Sequence, residues 1–435
     1  MDNSKVKKWL IVTFSVLFIY PMIELVTPIK ISVLPRRANL ASSVTDFNLE
    51  SWFNGSFQKS FSAYVNDNIG FHPFLIKTHN QLEYDLFGNI YTGSVIAGKE
   101  DFLFEKAYID AYYGKDFLGL NTIQKRVKKF KQLQDTLASR DKFLMVCLAA
   151  GKCTYYPEYI PYEEEKDSTN YEYFVKEFKN EGINYIDANP WFLEMKDSLG
   201  YLLYPQYGIH WSHYGAMLAA DSIAKYFEIK AGWELPDMHI LERTYSPVAK
   251  YYDNDIANSL ALFKEVQPEP MIYPKFEWRG KKSEKPRKLL IVGDSFTWDI
   301  FEYSRLGTES FDEVQFWFYN QTVHRDAEHE GGNYSGLPVL TRHLDIPQII
   351  EEYDAFMIVT NEPNLANFCW NFTKDALGFL ADSNYIARER NNDYLLSQAK
   401  AQKLWREELE TRAEARGVSL DSMIEIYLHD PNYKP

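Results

Sequence analysis

The feature that most restricts the fold is an unbroken apolar run, Leu289-Leu290-Ile291-Val292, which ends on Gly293-Asp294-Ser295-Phe296. Apolar character without alternation belongs to a strand covered on both faces, the condition of a parallel sheet packed between helices. The runs Lys142–Ala149, Val314–Tyr319 and Ala355–Val359 repeat the form, and shorter strands are predicted at Ser94–Ile96 and Asn184–Ile186. Stretches with helical spacing lie between them, from about Thr122 to Arg140, Tyr171 to Glu181 and Gly215 to Phe227. Helices alternating with apolar strands predict an α/β fold with a mostly parallel sheet flanked by helices.

In such sheets ligands bind beyond the carboxyl ends of the strands. Ser295 sits there, between a buried strand and a predicted helix, where backbone N–H groups favour developing negative charge. Gly293 permits a sharp turn and a close approach of substrate to the backbone. This context marks Ser295 as a candidate nucleophile with Asp294 supporting it; the plainer reading makes both of them helix caps.

A serine hydroxyl needs a base. Among nine histidines, His210 is the candidate, in the loop Tyr207-Gly208-Ile209-His210-Trp211-Ser212-His213-Tyr214-Gly215-Ala216 that opens a helix. His213 competes locally, whereas His72 and His79 fall in amino-terminal helices and read as structural. Neither Tyr207 nor Gly208 is acidic, so the group that orients the imidazole must come from elsewhere. Asp187 after one strand, Glu362 after another, or a backbone carbonyl are the choices. For the oxyanion, the Ser295 N–H and the amide of Asn320 lie at the same expected sheet edge, although Asn320 also reads as a turn residue. Lys152 follows a strand and reads by default as a surface lysine.

The chain divides on paper into four parts. Lys5, Lys7 and Lys8 precede the apolar run Trp9 to Val26, so residues 1–27 read as a cytoplasmic tip and a membrane anchor or signal, retained rather than cleaved. Positive charge stays inside, which sends the body to the periplasm or cell exterior. Residues 28–90 read as a stem and amino-terminal helices, with Trp52, Phe53, Phe57 and Phe61 at helical spacing; 91–372 as the catalytic domain; and 373–435 as a solvated helical extension rich in Glu, Lys and Arg.

A formal charge of −14 argues against a nucleic-acid partner. No metal constellation, Walker loop or dinucleotide fingerprint is written in the chain, so neither metal nor cofactor is expected. Cys147, Cys153 and Cys369 make at most one disulfide. The 31 Tyr, 29 Phe and 10 Trp suit either a packed core or sugar stacking.

Taken in order, Asp67-Asn68-Ile69-Gly70-Phe71, Gly98-Lys99-Glu100-Asp101-Phe102-Leu103-Phe104, Gly208–Trp211 with Gly215-Ala216, and Gly293–Phe296 resemble the alginate O-acetyltransferase accessory family of AlgJ/AlgX type, over roughly residues 46 to 365. That resemblance implies an SGNH-hydrolase-like domain with permuted motif order, the histidine motif before the serine motif. It implies acetyl transfer to an exported polysaccharide, with a membrane-bound O-acyltransferase partner supplying the acetyl group. Carried over by motif, Ser295 is the nucleophile and His210 the base, but the family's Asp-x-His is here Gly208-Ile209-His210. Two other readings use the same residues: a carbohydrate esterase with water as acceptor, and a non-catalytic glycan-binding or assembly protein, suggested by the absent acid.

Overall fold

The structure is a computed structural model and describes residues 3–26, 44, 47–68, 70, 72–90, 93–264, 266, 268–282, 285–325, 337–382, 385 and 392–430. The predicted stem from Pro28 to Ser43 lies outside the described residues. Two compact units are present, one of Met1–Gly93, Asn258–Glu265 and Ser397–Lys403, the other of Ser94–Ala257, Val266–Leu396 and Leu404–Pro435.

The first unit is helical: Asn3–Val26, Leu49–Phe53, Ser56–Asn68 and His72–Phe87. Asn48 caps the second helix through the Ser51 N–H, and Ser51 Oγ returns the bond to the Asn48 N–H. Trp52 and Phe61 pack around Phe57 with ring centroids 6.3 and 5.8 Å away, whereas Phe53 is turned outward. Among the described residues no helix is long and apolar enough to cross a membrane, which leaves the expected anchor without support from the structure.

The second unit is built on a seven-stranded sheet. The strands of the unit in chain order are β1 (Val95–Ala97), β2 (Leu103–Glu105), β3 (Phe143–Leu148), β4 (Tyr185–Asp187), β5 (Asp237–Ser246), β6 (Met271–Arg279), β7 (Lys288–Gly293), β8 (Glu313–Phe318), β9 (Thr322–Arg325), β10 (Val339–Leu340) and β11 (Ala355–Thr360). The large sheet runs β10-β9-β8-β7-β11-β3-β4, while β1-β2 and β5-β6 form separate antiparallel pairs. From β8 to β4 the neighbours are parallel. The sheet is therefore mixed: at one edge β9 runs antiparallel to β8, and β10 pairs antiparallel with β9.

The uninterrupted apolar runs end up where their composition requires. Leu290, Val292, Phe356, Ile358, Leu144 and Val146 join one core with Val127, Phe130 and Leu133 of the helix Leu120–Ala138. The helix His213–Ala231 also turns a buried face inward, including Ala216, Ala220, Ile223 and Phe227, with the Phe227 ring 5.5 Å from that of Phe143. The register Val292↔Ile358↔Val146 aligns the strand ends, so the residues after Gly293, Phe318, Thr360, Leu148 and Asp187 share one edge.

The carboxyl-terminal helices are more than a solvated extension. Met423, Ile424, Tyr427 and Leu428 of the helix Leu420–His429 are buried, the Tyr427 hydroxyl donates to Pro338 O, and Arg342 donates to Tyr427 O at 2.6 Å. An apolar stripe on a charged helix needs a surface to cover, and the segment beside β10 provides it.

Gly293 carries the closest packing at the sheet edge. A Cβ there would lie 2.2 Å from Thr297 Oγ1 and 3.2 Å from both Val359 Cβ and Val359 O. Replacing Gly293 by alanine is expected to cost about 1–3 kcal/mol of stability, read as a lower midpoint in urea or thermal unfolding; an unmoved midpoint would contradict the packing described.

Candidate active site

Three segments converge at the carboxyl edge of the sheet. β7 delivers Gly293-Asp294-Ser295; Asp294 and Phe296 are fully buried and Ser295 is half-buried between them. The loop before the helix His213–Ala231 delivers His210, with the Ser212 N–H donating to Leu203 O at 2.7 Å and Ser212 Oγ capping Gly215 N at 3.1 Å. The third segment, between β5 and β6, delivers Asp255.

His210 Nε2 lies 2.7 Å from Ser295 Oγ, and its Nδ1 lies 3.0 Å from Asp255 Oδ2. A carboxylate on Nδ1 holds the proton there, so Nε2 is the acceptor and the Ser295 hydroxyl the donor. Both the imidazole and Asp255 are almost wholly buried, and the ring packs on Phe296 at 4.8 Å. Burial alone would lower the His210 pKa, but the Asp255 carboxylate 3.0 Å from Nδ1, with Asp299 and Asp294 beyond, leaves it raised above 6.5.

Asp255 makes good the missing acid of the histidine motif. Its Oδ1 accepts from the Ile209 N–H at 2.9 Å and lies 3.1 Å from where a Gly208 Cβ would stand, with Pro205 Cγ closer still at 2.6 Å. A side chain at position 208 would crowd Pro205 first and press on the Asp253–Asp255 loop, and the carboxylate behind His210 comes from that loop. Ala257 N donates to Tyr207 O at 3.1 Å and pins the two loops together. The only sequence cue was indirect: an acid absent at 208 and a short acidic cluster, Asp253-Asn254-Asp255, inside an otherwise irregular stretch.

The two acids expected from the sequence lie elsewhere. Asp187 ends β4, three strands from β7 and hence about 14 Å away at ~4.8 Å per strand. There it caps the helix Ala188–Met195 through the Asn189 N–H and accepts from the Tyr171 hydroxyl at 2.8 Å. Glu362 follows the neighbouring strand β11 but turns to the far side, accepting from Thr154 Oγ1 at 2.9 Å; burial raises its pKa to about 7.

Asp294 is a strut. Its Oδ1 accepts from Phe296 N at 3.0 Å, and its Oδ2 from Asn361 N and Asn364 Nδ2, both at 2.9 Å, joining the ends of β7 and β11. Burial raises its pKa to about 6 against the pull of these donors. Asn320 follows β8 as expected, but its Nδ2 donates to Trp370 O at 3.0 Å, and no hydrogen bond joins it to Ser295. His213 is occupied by Asp299, with Nδ1 to Oδ1 at 3.3 Å, and stacks on Tyr251 at 4.1 Å. Lys152 is buried rather than superficial, and Cys147, Cys153 and Cys369 are free and buried.

Residues 95–305 match the family model described as SGNH hydrolase-like domain, acetyltransferase AlgX. Among solved structures the chain is similar to the O-acetyltransferase domain of Pseudomonas putida AlgJ, at 16% identity and TM-score 0.43, over 63% of this chain and 92% of that one. Bacillus cereus PatB1 with a sulfonyl adduct is similar at 12% identity and TM-score 0.43, over 64% and 98%. Pseudomonas aeruginosa AlgX is similar at 13% identity and TM-score 0.40, over 64% and 67%. No curated protein matches the sequence.

Because Asp255 favours the imidazolium, Asp255→Asn should move the His210 pKa downward. Titration of the His210 ring protons by NMR is expected to give a midpoint above 6.5 in the wild type and a lower one in the variant; an unchanged midpoint would show that the 3.0 Å contact carries no charge effect.

Proposed function

We propose, from the match of residues 95–305 to the family model described as SGNH hydrolase-like domain, acetyltransferase AlgX, that the chain is a serine-dependent O-acetyltransferase acting on an exported or cell-surface polysaccharide. The observation that supports it most is the unbroken line Ser295–His210–Asp255, at 2.7 and 3.0 Å. The non-catalytic reading drew on the absent acid at Gly208, and Asp255 supplies that carboxylate.

In this mechanism Ser295 Oγ attacks the carbonyl carbon of an acetyl ester while its proton passes to His210 Nε2. Asp255 stabilises the imidazolium without taking the proton. The tetrahedral oxyanion forms beside the Ser295 N–H, since the Phe296 N–H is already given to Asp294. Collapse expels the donor alcohol, which leaves with the proton from His210, and an acetyl-serine remains. A sugar hydroxyl then gives its proton to His210 Nε2 and attacks the acetyl carbon; the second collapse returns the proton to Ser295 Oγ. Water in place of the sugar gives the esterase outcome, so acceptor binding decides between the two.

Export and membrane attachment rest on Lys5, Lys7, Lys8 and the run Trp9 to Val26 alone. A membrane-bound O-acyltransferase as the source of the acetyl donor rests on the family resemblance.

The purified chain, given para-nitrophenyl acetate, is expected to show one acetyl adduct by intact mass at Ser295. Ser295→Ala should remove the adduct and lower turnover by more than about 10³-fold, and Asp255→Asn by about 10²–10⁴-fold, while Asp187→Asn and Glu362→Gln stay near wild type. Added oligosaccharide should become acetylated. Release of acetate alone would favour the esterase, and absence of both adduct and turnover would sink the catalytic reading.

A further inference from the structure

The mechanism leaves a buried lysine without a task. Lys152 opens the short helix after β3 and is wholly buried. Its Nζ lies 2.7 Å from Leu103 O, 2.9 Å from Gln206 O and 2.7 Å from Gly208 O, with the rings of Phe102 and Phe104 at 5.7 and 5.2 Å. An ammonium has three N–H donors and no acceptor, so three carbonyls match it one to one. A neutral amine would turn a lone pair toward one of those oxygens. Placing such a charge inside is costly, and an apolar side chain of similar volume would fill the space more cheaply.

The acceptors show what the charge does there. Gln206 O also accepts from the Leu103 N–H at 3.0 Å, so the ammonium closes the junction between β2 and the histidine loop. Gly208 O belongs to the same peptide group as the Ile209 N–H, and that N–H donates to Asp255 Oδ1. One planar peptide is thus held with its oxygen on a cation and its hydrogen on a carboxylate. Each bond polarises the peptide in the sense that strengthens the other. Burial pulls the Lys152 pKa down to about 7 and the Asp255 charge pulls it back up, so the ammonium and the carboxylate favour each other's charged form.

We infer that Lys152 is a positioning residue for the reaction, acting through the Gly208–Ile209 peptide group to fix Asp255 in place and keep it ionised against His210. This rests on the assignment of Asp255 as the acid behind His210. The bland alternative makes Lys152 a clasp for three chain segments, with no bearing on the chemistry beyond stability.

A double-mutant cycle separates them, with kcat for para-nitrophenyl acetate as readout and an unfolding midpoint recorded for each variant. Lys152→Met is expected to lower kcat about 10–100-fold, as for losses of groups that orient a reacting residue, with KM little changed. In the Asp255→Asn background the same change should cost less than about threefold, because the carboxylate charge it holds against His210 is already gone. Equal losses of kcat in both backgrounds would overturn the inference. Lys152→Gln, which keeps two N–H donors without the charge, is read in the same way should the methionine variant not fold. If neither folds, the lysine belongs to the framework and the inference falls. Turnover unmoved by Ser295→Ala would instead remove the proposed function on which this rests, whatever Lys152 does.

Discussion

The site hangs on one carboxylate held between two loops. Asp255 accepts from Ile209 N–H with one oxygen and faces His210 Nδ1 with the other, so a single group fixes both the backbone and the ring of the histidine loop. Remove that bridge and the 2.7 Å approach of His210 to Ser295 has no partner on its far side. The sheet register brings Ser295 to the edge, but only the bridge gives the imidazole a preferred tautomer and orientation.

The parts of this arrangement differ in how openly the sequence declares them. Leu289 to Val292 is apolar without alternation because β7 is covered on both faces, and the following Gly-Asp-Ser is legible for the same reason. His210 announces itself by its place before a Gly-Ala helix start. Asp255 has no such frame. It lies in irregular chain between β5 and β6, a long antiparallel pair that the sequence reading did not anticipate, and no periodicity marks it. Asp187 and Glu362 were attractive because they follow strands, yet the position of a strand in the sheet is a matter of topology. β4 lies too far from β7, and Glu362 leaves its strand on the wrong side. The antiparallel β9 and β10 were hidden likewise, since a short edge strand carries little apolar signal.

Around the bridge the protein gathers more buried carboxyl groups than packing requires. Asp253, Asp255, Asp294 and Asp299 all lie within the second unit near His210 or His213, and burial, aided by the Asp299 charge, raises the Asp253 pKa to about 8. Each is tied to a donor: Asp253 to the His213 N–H, Asp294 to three N–H groups, Asp299 to the His213 ring. Buried carboxylates are tolerable only with such partners, and the partners are mostly backbone. The cost falls on stability, and what it yields is a set of loops whose backbone cannot shift without breaking a hydrogen bond to a buried carboxyl group.

Supplying the acid from a separate loop changes what the histidine motif can vary. In an Asp-x-His arrangement the two side chains share one short stretch of backbone, so neither can move without the other. Here a Cβ at position 208 would stand 2.6 Å from Pro205 Cγ and 3.1 Å from Asp255 Oδ1, and the Gly208 carbonyl oxygen is turned to Lys152. The requirement on residue 208 has thus changed from charge to emptiness. Judged by the motif alone, such a chain looks stripped of its acid. Judged by which loop lies against it, the same glycine sits beside the carboxylate that faces His210.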